Sequence, residues 1–213
     1  MILYTPLDIK CPAPDEFKII EWFQKNKYPD DGLKHYAGDW HDYAPIASRL
    51  DVKDWSLWET AVFDWVNNRK YNPDRGLFFN PTFESEFPEI VESLKQLPFI
   101  QFGGILAVRQ VADIENHFDK NVPHEGIEPL RYSMYLTNPK YNTFYMDYKG
   151  TKYNPTFNDE YRCFAFNNYE AEHGATQPTG EKIILFITGV LDQDKHAELI
   201  YRSIKKFKET IIV

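Results

Sequence analysis

Cysteine is scarce: Cys11 and Cys163 are the two in 213 residues. Thiols so few and so far apart give no disulfide framework, and the expectation is a cytoplasmic, intracellular protein with reduced thiols. The start of the chain has no signal-peptide pattern, because Met1-Ile2-Leu3-Tyr4 meets Pro6 and Asp8 almost at once. No window approaches the roughly 18 apolar residues of a spanning helix, so no membrane segment is expected. No basic run exceeds Lys205-Lys206, and the net charge is −8. That balance repels polyphosphates and makes nucleic acid a disfavoured partner. Internal repeats, low-complexity tracts and Gly/Ser linkers are absent as well, so one domain spanning 1–213 is expected.

What is present is core-forming material, 43% hydrophobic and 16% aromatic, ample for a large domain. Residues 1–100 read as a mixed, largely helical buttress. Phe17, Ile20 and Phe23 at helical spacing predict a helix over Asp15–Asn26, with Asp15 and Glu16 suiting its N-terminus. Tyr28–Arg49 has no period and reads as a surface loop, including the adjacent His41 and Asp42. Trp55, Trp58, Val62, Trp65 and Val66 predict an amphipathic helix within Val52–Asn68, its tryptophans supplying core. A further helix over about Pro88–Leu97 stops before Pro98.

After Pro98 the period becomes extended. Ile105–Val108, Ile114–Phe118, Arg131–Thr137, Thr143–Tyr148, Tyr161–Phe166 and Lys182–Thr188 are short apolar or alternating segments separated by Asn-Pro, Lys-Gly and Pro-Thr-Gly turn signals. This predicts an α+β protein with a jelly-roll core over 101–192, a double-stranded β-helix of cupin-like architecture. A C-terminal helix is predicted within 193–213, at about Asp194–Lys208.

Several side chains in the strand-rich half bear chemistry. His117 and Asp119, spaced i and i+2 on an extended segment, point to one side and offer an imidazole and a carboxylate to one ion. A second imidazole, His173, would complete a two-His, one-carboxylate face that leaves positions of an octahedral iron(II) open. His-x-acid triplets arise easily, as His196-Ala197-Glu198 on the C-terminal helix illustrates. His124, in His124-Glu125-Gly126, competes with His117 for the first position. Arg131, on the polar face of its strand, requires an anionic partner if that face is the interior. Lys182 begins an almost wholly apolar strand and is expected at the barrel mouth, where a cation would meet the far carboxylate of a dicarboxylate ligand. Cys163 reads as a structural thiol, Tyr132, Tyr135 and Asn168 as packing or pocket-shaping residues, and Glu170 and Glu172 as loop residues.

Over Ala112–Asp192 the sequence resembles the iron(II)- and 2-oxoglutarate-dependent oxygenases, most closely the aspartyl/asparaginyl β-hydroxylase type. The resemblance is carried by Ile114, His117-x-Asp119 and the Arg131-Tyr-Ser133-Met-Tyr-Leu strand. It continues in Phe166-Asn167-Asn168, His173 and the Lys182-Ile-Ile-Leu-Phe-Ile strand. Lys182 stands where the family more often has Arg, and Asp119 where the β-hydroxylase type can have Gly. The resemblance implies His117, Asp119 and His173 as iron ligands, Lys182 as the partner of the distal 2-oxoglutarate carboxylate, and Arg131 and Ser133 in the same pocket. It implies Fe(II), 2-oxoglutarate and O2 as cofactor and co-substrates, with no catalytic side chain beyond the metal centre. The implied reaction is hydroxylation of a protein side chain, amino acid or small molecule, with release of succinate and CO2. Two other classes stay open: a cupin-like metalloenzyme without 2-oxoglutarate, which would not need Lys182, and a non-catalytic β-sandwich binding module, which would bind no transition metal. Substrate and oligomeric state have no signature in the sequence.

Overall fold

The computed structural model describes residues 2–28, 40–48, 55, 76–118, 130–156, 161–168 and 170–212. The helix expected within Val52–Asn68 lies outside them, apart from Trp55. Eleven strands and four α-helices follow one another among the described residues. In chain order they are β1 (Tyr4–Pro6), α1 (Glu16–Asn26), β2 (His41–Ser48), β3 (Phe78–Phe79), α2 (Pro81–Glu86), α3 (Pro88–Leu94), β4 (Phe99–Gln110), β5 (Ile114–His117), β6 (Leu130–Tyr135), β7 (Phe144–Tyr148), β8 (Thr151–Tyr153), β9 (Cys163–Asn167), β10 (Glu172–Ala175), β11 (Ile183–Leu191) and α4 (Gln193–Phe207). The strands form two antiparallel sheets. The larger has the order β1-β9-β6-β11-β4-β2-β3, and the smaller β5-β10-β7-β8.

Alternation along the strands divides the core into two layers, because successive side chains leave opposite faces of a sheet. On β11, Ile183, Leu185 and Ile187 join Ile105 and Ala107 of β4, Tyr132 and Met134 of β6, and the apolar faces of the helices. The helical contribution is Ile19, Trp22 and Phe23 of α1, Phe83 of α2, Ile90, Val91 and Leu94 of α3, and Leu199 of α4. Each such side chain, taken fully out of water, stabilises by roughly 1.5–3 kcal/mol, enough to hold short helices that would not persist alone. On the other face of the large sheet, Ile184, Val108, Tyr135, Phe164 and Phe166 pack with Met146 of the small sheet. This second layer lies between the sheets and surrounds the candidate site.

Local signals explain the helix limits. Asp15 caps α1, accepting from Phe17 N at 3.0 Å and Lys18 N at 3.3 Å. Asn80 caps α2 through Thr82 N at 3.1 Å, and its side-chain amide donates to the Pro45 carbonyl at 3.2 Å, fastening the helix to β2. Asp192 caps α4 through Lys195 N at 3.1 Å. Among the described residues no helix is long and apolar enough to cross a membrane.

Two expectations are corrected. His41–Ser48, expected as part of a loop, is a strand paired along its length with β4, from His41 opposite Gln110 to Ser48 opposite Gly104. Its irregular polar and aromatic pattern, interrupted by Pro45, hides a strand created by its neighbour, with the register shifting between Pro45 and Ala47. Glu172, expected in a loop, begins β10, which also carries His173 and pairs with both β5 and β7.

Candidate functional site

The small sheet brings the two sequence-separated histidines together. His173 of β10 stands directly opposite His117 of β5 in the antiparallel register, and their ring centroids are 4.4 Å apart. His173 is buried and also packs on Phe166 of the large sheet at 5.0 Å and Phe144 at 6.0 Å. It therefore occupies the space between the sheets. His117 is half-buried, with the Trp40 ring tilted against it at 5.6 Å. Its Nδ1 donates to the Glu115 carbonyl at 2.7 Å. A carbonyl only accepts, so Nδ1 carries a proton; in the neutral ring this leaves the lone pair on Nε2, the tautomer in which Nε2 can bind a metal.

The residue after His173 has to be small. A Cβ on Gly174 would come within 2.7 Å of the Ile114 carbonyl and 2.5 Å of the Tyr145 hydroxyl. The bare backbone here lets β5, β7 and β10 close up, and that closeness sets the His117–His173 spacing. Glu172 does not join the histidines: its carboxylate accepts from Asn116 Nδ2 at 2.6 Å. Glu170 is likewise engaged by the Asn167 side chain, at 2.6 Å. Asp119 and His124 lie outside the described residues. Among the described residues no three His, Cys, Asp or Glu side chains stand together as a cation site.

On the large sheet, alternation places Lys182 on the side of Ile184 and Phe186, facing the small sheet. It was expected at a mouth, but it is buried, only 4% exposed. The residue immediately precedes β11 where the chain is already covered by both sheets, and Nζ donates to Gln110 Oε1 at 2.7 Å. Burial alone pushes the amine down to about 7, because the charged form loses its hydration and no described carboxylate replaces it. An amine so placed has the chemistry to receive an anion, which would supply the missing counter-charge. Ser133 of β6 shares the interior, opposite both Phe164 and Phe186 in register. It is 1% exposed, and its hydroxyl has no hydrogen-bond partner among the described residues. Arg131 pairs through its backbone with Phe166; its side chain is outside the described residues.

Neighbouring groups divide between the faces. Asp42 is bonded by Arg109 through Nε at 3.1 Å and Nη2 at 2.7 Å, whereas adjacent His41 turns inward to Phe186 at 5.8 Å and accepts or donates at Tyr43 Oη at 3.3 Å. Tyr135 is buried between the sheets. Tyr132 faces the helices instead, where its hydroxyl bonds His196 Nδ1, so it does not shape the pocket. Cys163 is buried, and burial pushes its thiol up. The sequence reading missed Gln110 and placed His41 in a surface loop, whereas it stands on β2. Gln110 had a usable signal: a polar residue continuing the inward alternation Leu106, Val108.

No family model matches the chain, and no curated protein matches it. Among solved structures it is similar to a prolyl-4-hydroxylase from Pseudomonas putida, at 9% identity over 81% of this chain and 81% of that one, with a TM-score of 0.41. It is similar to an oxidoreductase of the 2OG-Fe(II) oxygenase family from Burkholderia pseudomallei, at 12% identity over 81% and 76%, TM-score 0.42. A third is the viral collagen prolyl hydroxylase of Paramecium Bursaria Chlorella virus-1 in its 2OG complex, at 11% identity over 88% and 96%, TM-score 0.38. Overlap at this level does not define a shared fold, so the reading of function rests on the side chains.

Proposed function

We propose that the protein is an Fe(II)- and 2-oxoglutarate-dependent oxygenase that hydroxylates a protein side chain, an amino acid or a small molecule, and that its two sheets form a jelly roll. The observation that carries this reading is the opposition of two groups across the inter-sheet space. A cross-strand pair of imidazoles stands on the small sheet, and a buried ammonium without a described counter-ion stands on the large one. Imidazole suits a borderline transition metal, and the buried cation and Ser133 hydroxyl suit a carboxylate. The residues therefore fit both groups.

In this reading His117 and His173 hold the iron with Asp119, two residues beyond His117, as third ligand. Lys182 holds the distal carboxylate of 2-oxoglutarate, with Ser133 and Arg131 in the same pocket. The bound iron, with 2-oxoglutarate and O2, would supply oxidation of a C–H bond to an alcohol, with succinate and CO2 released. The chain's own contribution is positioning and exclusion of water. Phe144, Phe164 and Phe166 dry the space beside His173. The Glu115 carbonyl holds the His117 tautomer. Lys182 fixes one end of the co-substrate so that its other end is presented to the histidine pair. The aspartyl/asparaginyl β-hydroxylase type is the member of the superfamily that the Ile114, His117 and Arg131-Tyr-Ser133 run favours.

The test is anaerobic titration with Fe(II) and then 2-oxoglutarate, following the weak visible charge-transfer band of a chelated 2-oxo acid. The band is expected in the wild type, absent in His173→Ala, and shifted to higher 2-oxoglutarate concentration in Lys182→Ala. Metal binding without the band would favour a cupin-like metalloenzyme; no metal binding at all would sink the proposal.

A further inference from the structure

A further polar side chain reaches the site from the end of β4, an interior strand of the large sheet. On β4 the inward series Leu106, Val108 continues to Gln110, which is 5% exposed where an apolar residue ordinarily stands. Both ends of its amide are used. Oε1 accepts from Lys182 Nζ at 2.7 Å. Nε2 donates to the Ala112 carbonyl at 2.9 Å and the Thr176 carbonyl at 2.8 Å. Ala112 lies just before β5, the strand of His117, and Thr176 directly follows Ala175, the last residue of β10, the strand of His173. The Thr176 carbonyl also accepts from Thr143 Oγ1, which draws in the start of β7.

A lysine ammonium sits on a flexible four-carbon stem with about 2 kcal/mol of rotamer entropy. Here a planar amide restrains it, and the same plane is tied to the ends of both histidine-bearing strands. Because an amide plane is rigid, Oε1 cannot move far without disturbing Nε2. The acceptor is also neutral, so it orients the ammonium without cancelling its charge; a glutamate in its place would cancel it.

We propose that Gln110 is a positioning residue: it fixes the Lys182 ammonium relative to the His117–His173 pair through one amide, and leaves that cation uncompensated for a carboxylate ligand. The identity of the ligand rests on the 2-oxoglutarate reading above; the tie itself rests on the three hydrogen bonds.

The experiment uses the full chain with Gln110→Leu and Gln110→Glu. Two quantities are followed: the 2-oxoglutarate Kd in the presence of Fe(II), and the titration of the Lys182 amine by NMR in metal-free protein carrying labelled lysine, assigned with Lys182→Met. Gln110→Glu keeps size and an acceptor for Nζ, adds an internal counter-ion and loses the two donors. Its Lys182 titration should move up by about one pH unit or more, and the 2-oxoglutarate Kd should rise at least about tenfold while the protein stays folded. A merely structural glutamine would let this conservative variant bind as well as the wild type. Gln110→Leu should move the amine further down and weaken 2-oxoglutarate similarly; if it does not fold, Gln110→Glu carries the test alone. A Kd within about twofold of wild type in a folded variant, or an unmoved Lys182 titration, overturns the proposal. If the wild type binds neither iron nor 2-oxoglutarate, the functional reading falls, and the metal-free titration still decides whether Gln110 governs Lys182.

Discussion

Replacing Lys182 by methionine should stabilise the protein while removing the proposed co-substrate contact. Lys182 is 4% exposed, and burial lowers its amine from 10.5 to about 7. At about 1.4 kcal/mol for each tenfold, charging the buried amine is disfavoured by on the order of 5 kcal/mol. The unfolded chain binds this proton below 10.5, and the folded chain only below about 7. Stability from this group therefore rises with pH between those values, and the cost is fully present below about 7. Methionine has similar length and no charge. Against the gain stands the Gln110 acceptor, left buried without its 2.7 Å donor, at about 1–3 kcal/mol. The expected net gain for Lys182→Met is about 2–4 kcal/mol at neutral pH, shrinking to nothing or reversing toward pH 10.5, as found when buried charges give way to apolar groups. Urea unfolding of wild type and variant at pH 7 and 10 measures the difference. A variant less stable at pH 7, or a difference independent of pH, would refute the claim that Lys182 is a desolvated cation kept at a cost to stability.

Other outcomes follow from the same geometry. Because anion binding favours the ammonium, 2-oxoglutarate affinity at saturating Fe(II) should fall about tenfold between pH 6 and pH 8 as the amine with a pKa of about 7 loses its proton; a titration calorimetry series that stays flat would count against Lys182 as the anion's partner. Gly174→Ala should cost about 1–3 kcal/mol and weaken Fe(II) binding, since its Cβ meets the Ile114 carbonyl at 2.7 Å; unchanged thermal midpoint and metal affinity would remove the spacing argument. Thiol titration of the native protein should modify half-buried Cys11 and spare Cys163 until denaturant is added, as the Cys163 thiol is buried and pushed up whereas that of Cys11 is lowered by its contact with the Cys163 side chain.

The helices were legible where local chemistry suffices. Asp15 ahead of apolar residues at helical spacing marks α1, although the buried stripe is Ile19, Trp22 and Phe23 and Phe17 is exposed. The stripe of Leu199, Ile200, Ile204 and Phe207 marks α4, because such signals are contained in one short window. Most strands were legible as short apolar or alternating runs, though β4 extends well beyond Ile105–Val108, to Phe99–Gln110. The added residues gain their strand character by pairing with β2 on one side and β11 on the other. β2 itself was hidden for the same reason. Its pairing partner is distant in sequence, and strand formation depends on that partner as much as on intrinsic preference.

The candidate residues divide along the same line. His117, His173 and Lys182 were named from residue type, order and alternation, and Ser133 through the family resemblance. That His117 and His173 face one another at 4.4 Å depends on the β5–β10 register, which a glycine at 174 permits and no local window specifies. Lys182 was recognisable as a cation beside an apolar strand. Its burial, its depressed pKa and its tie to Gln110 come from the closure of one sheet over the other. The sequence by itself determined which chemical groups are available and which stretches turn, coil or extend. Only the tertiary structure decided which groups meet and which lose their water, because register, desolvation and hydrogen-bond partnership are properties of chain segments brought together across long separations.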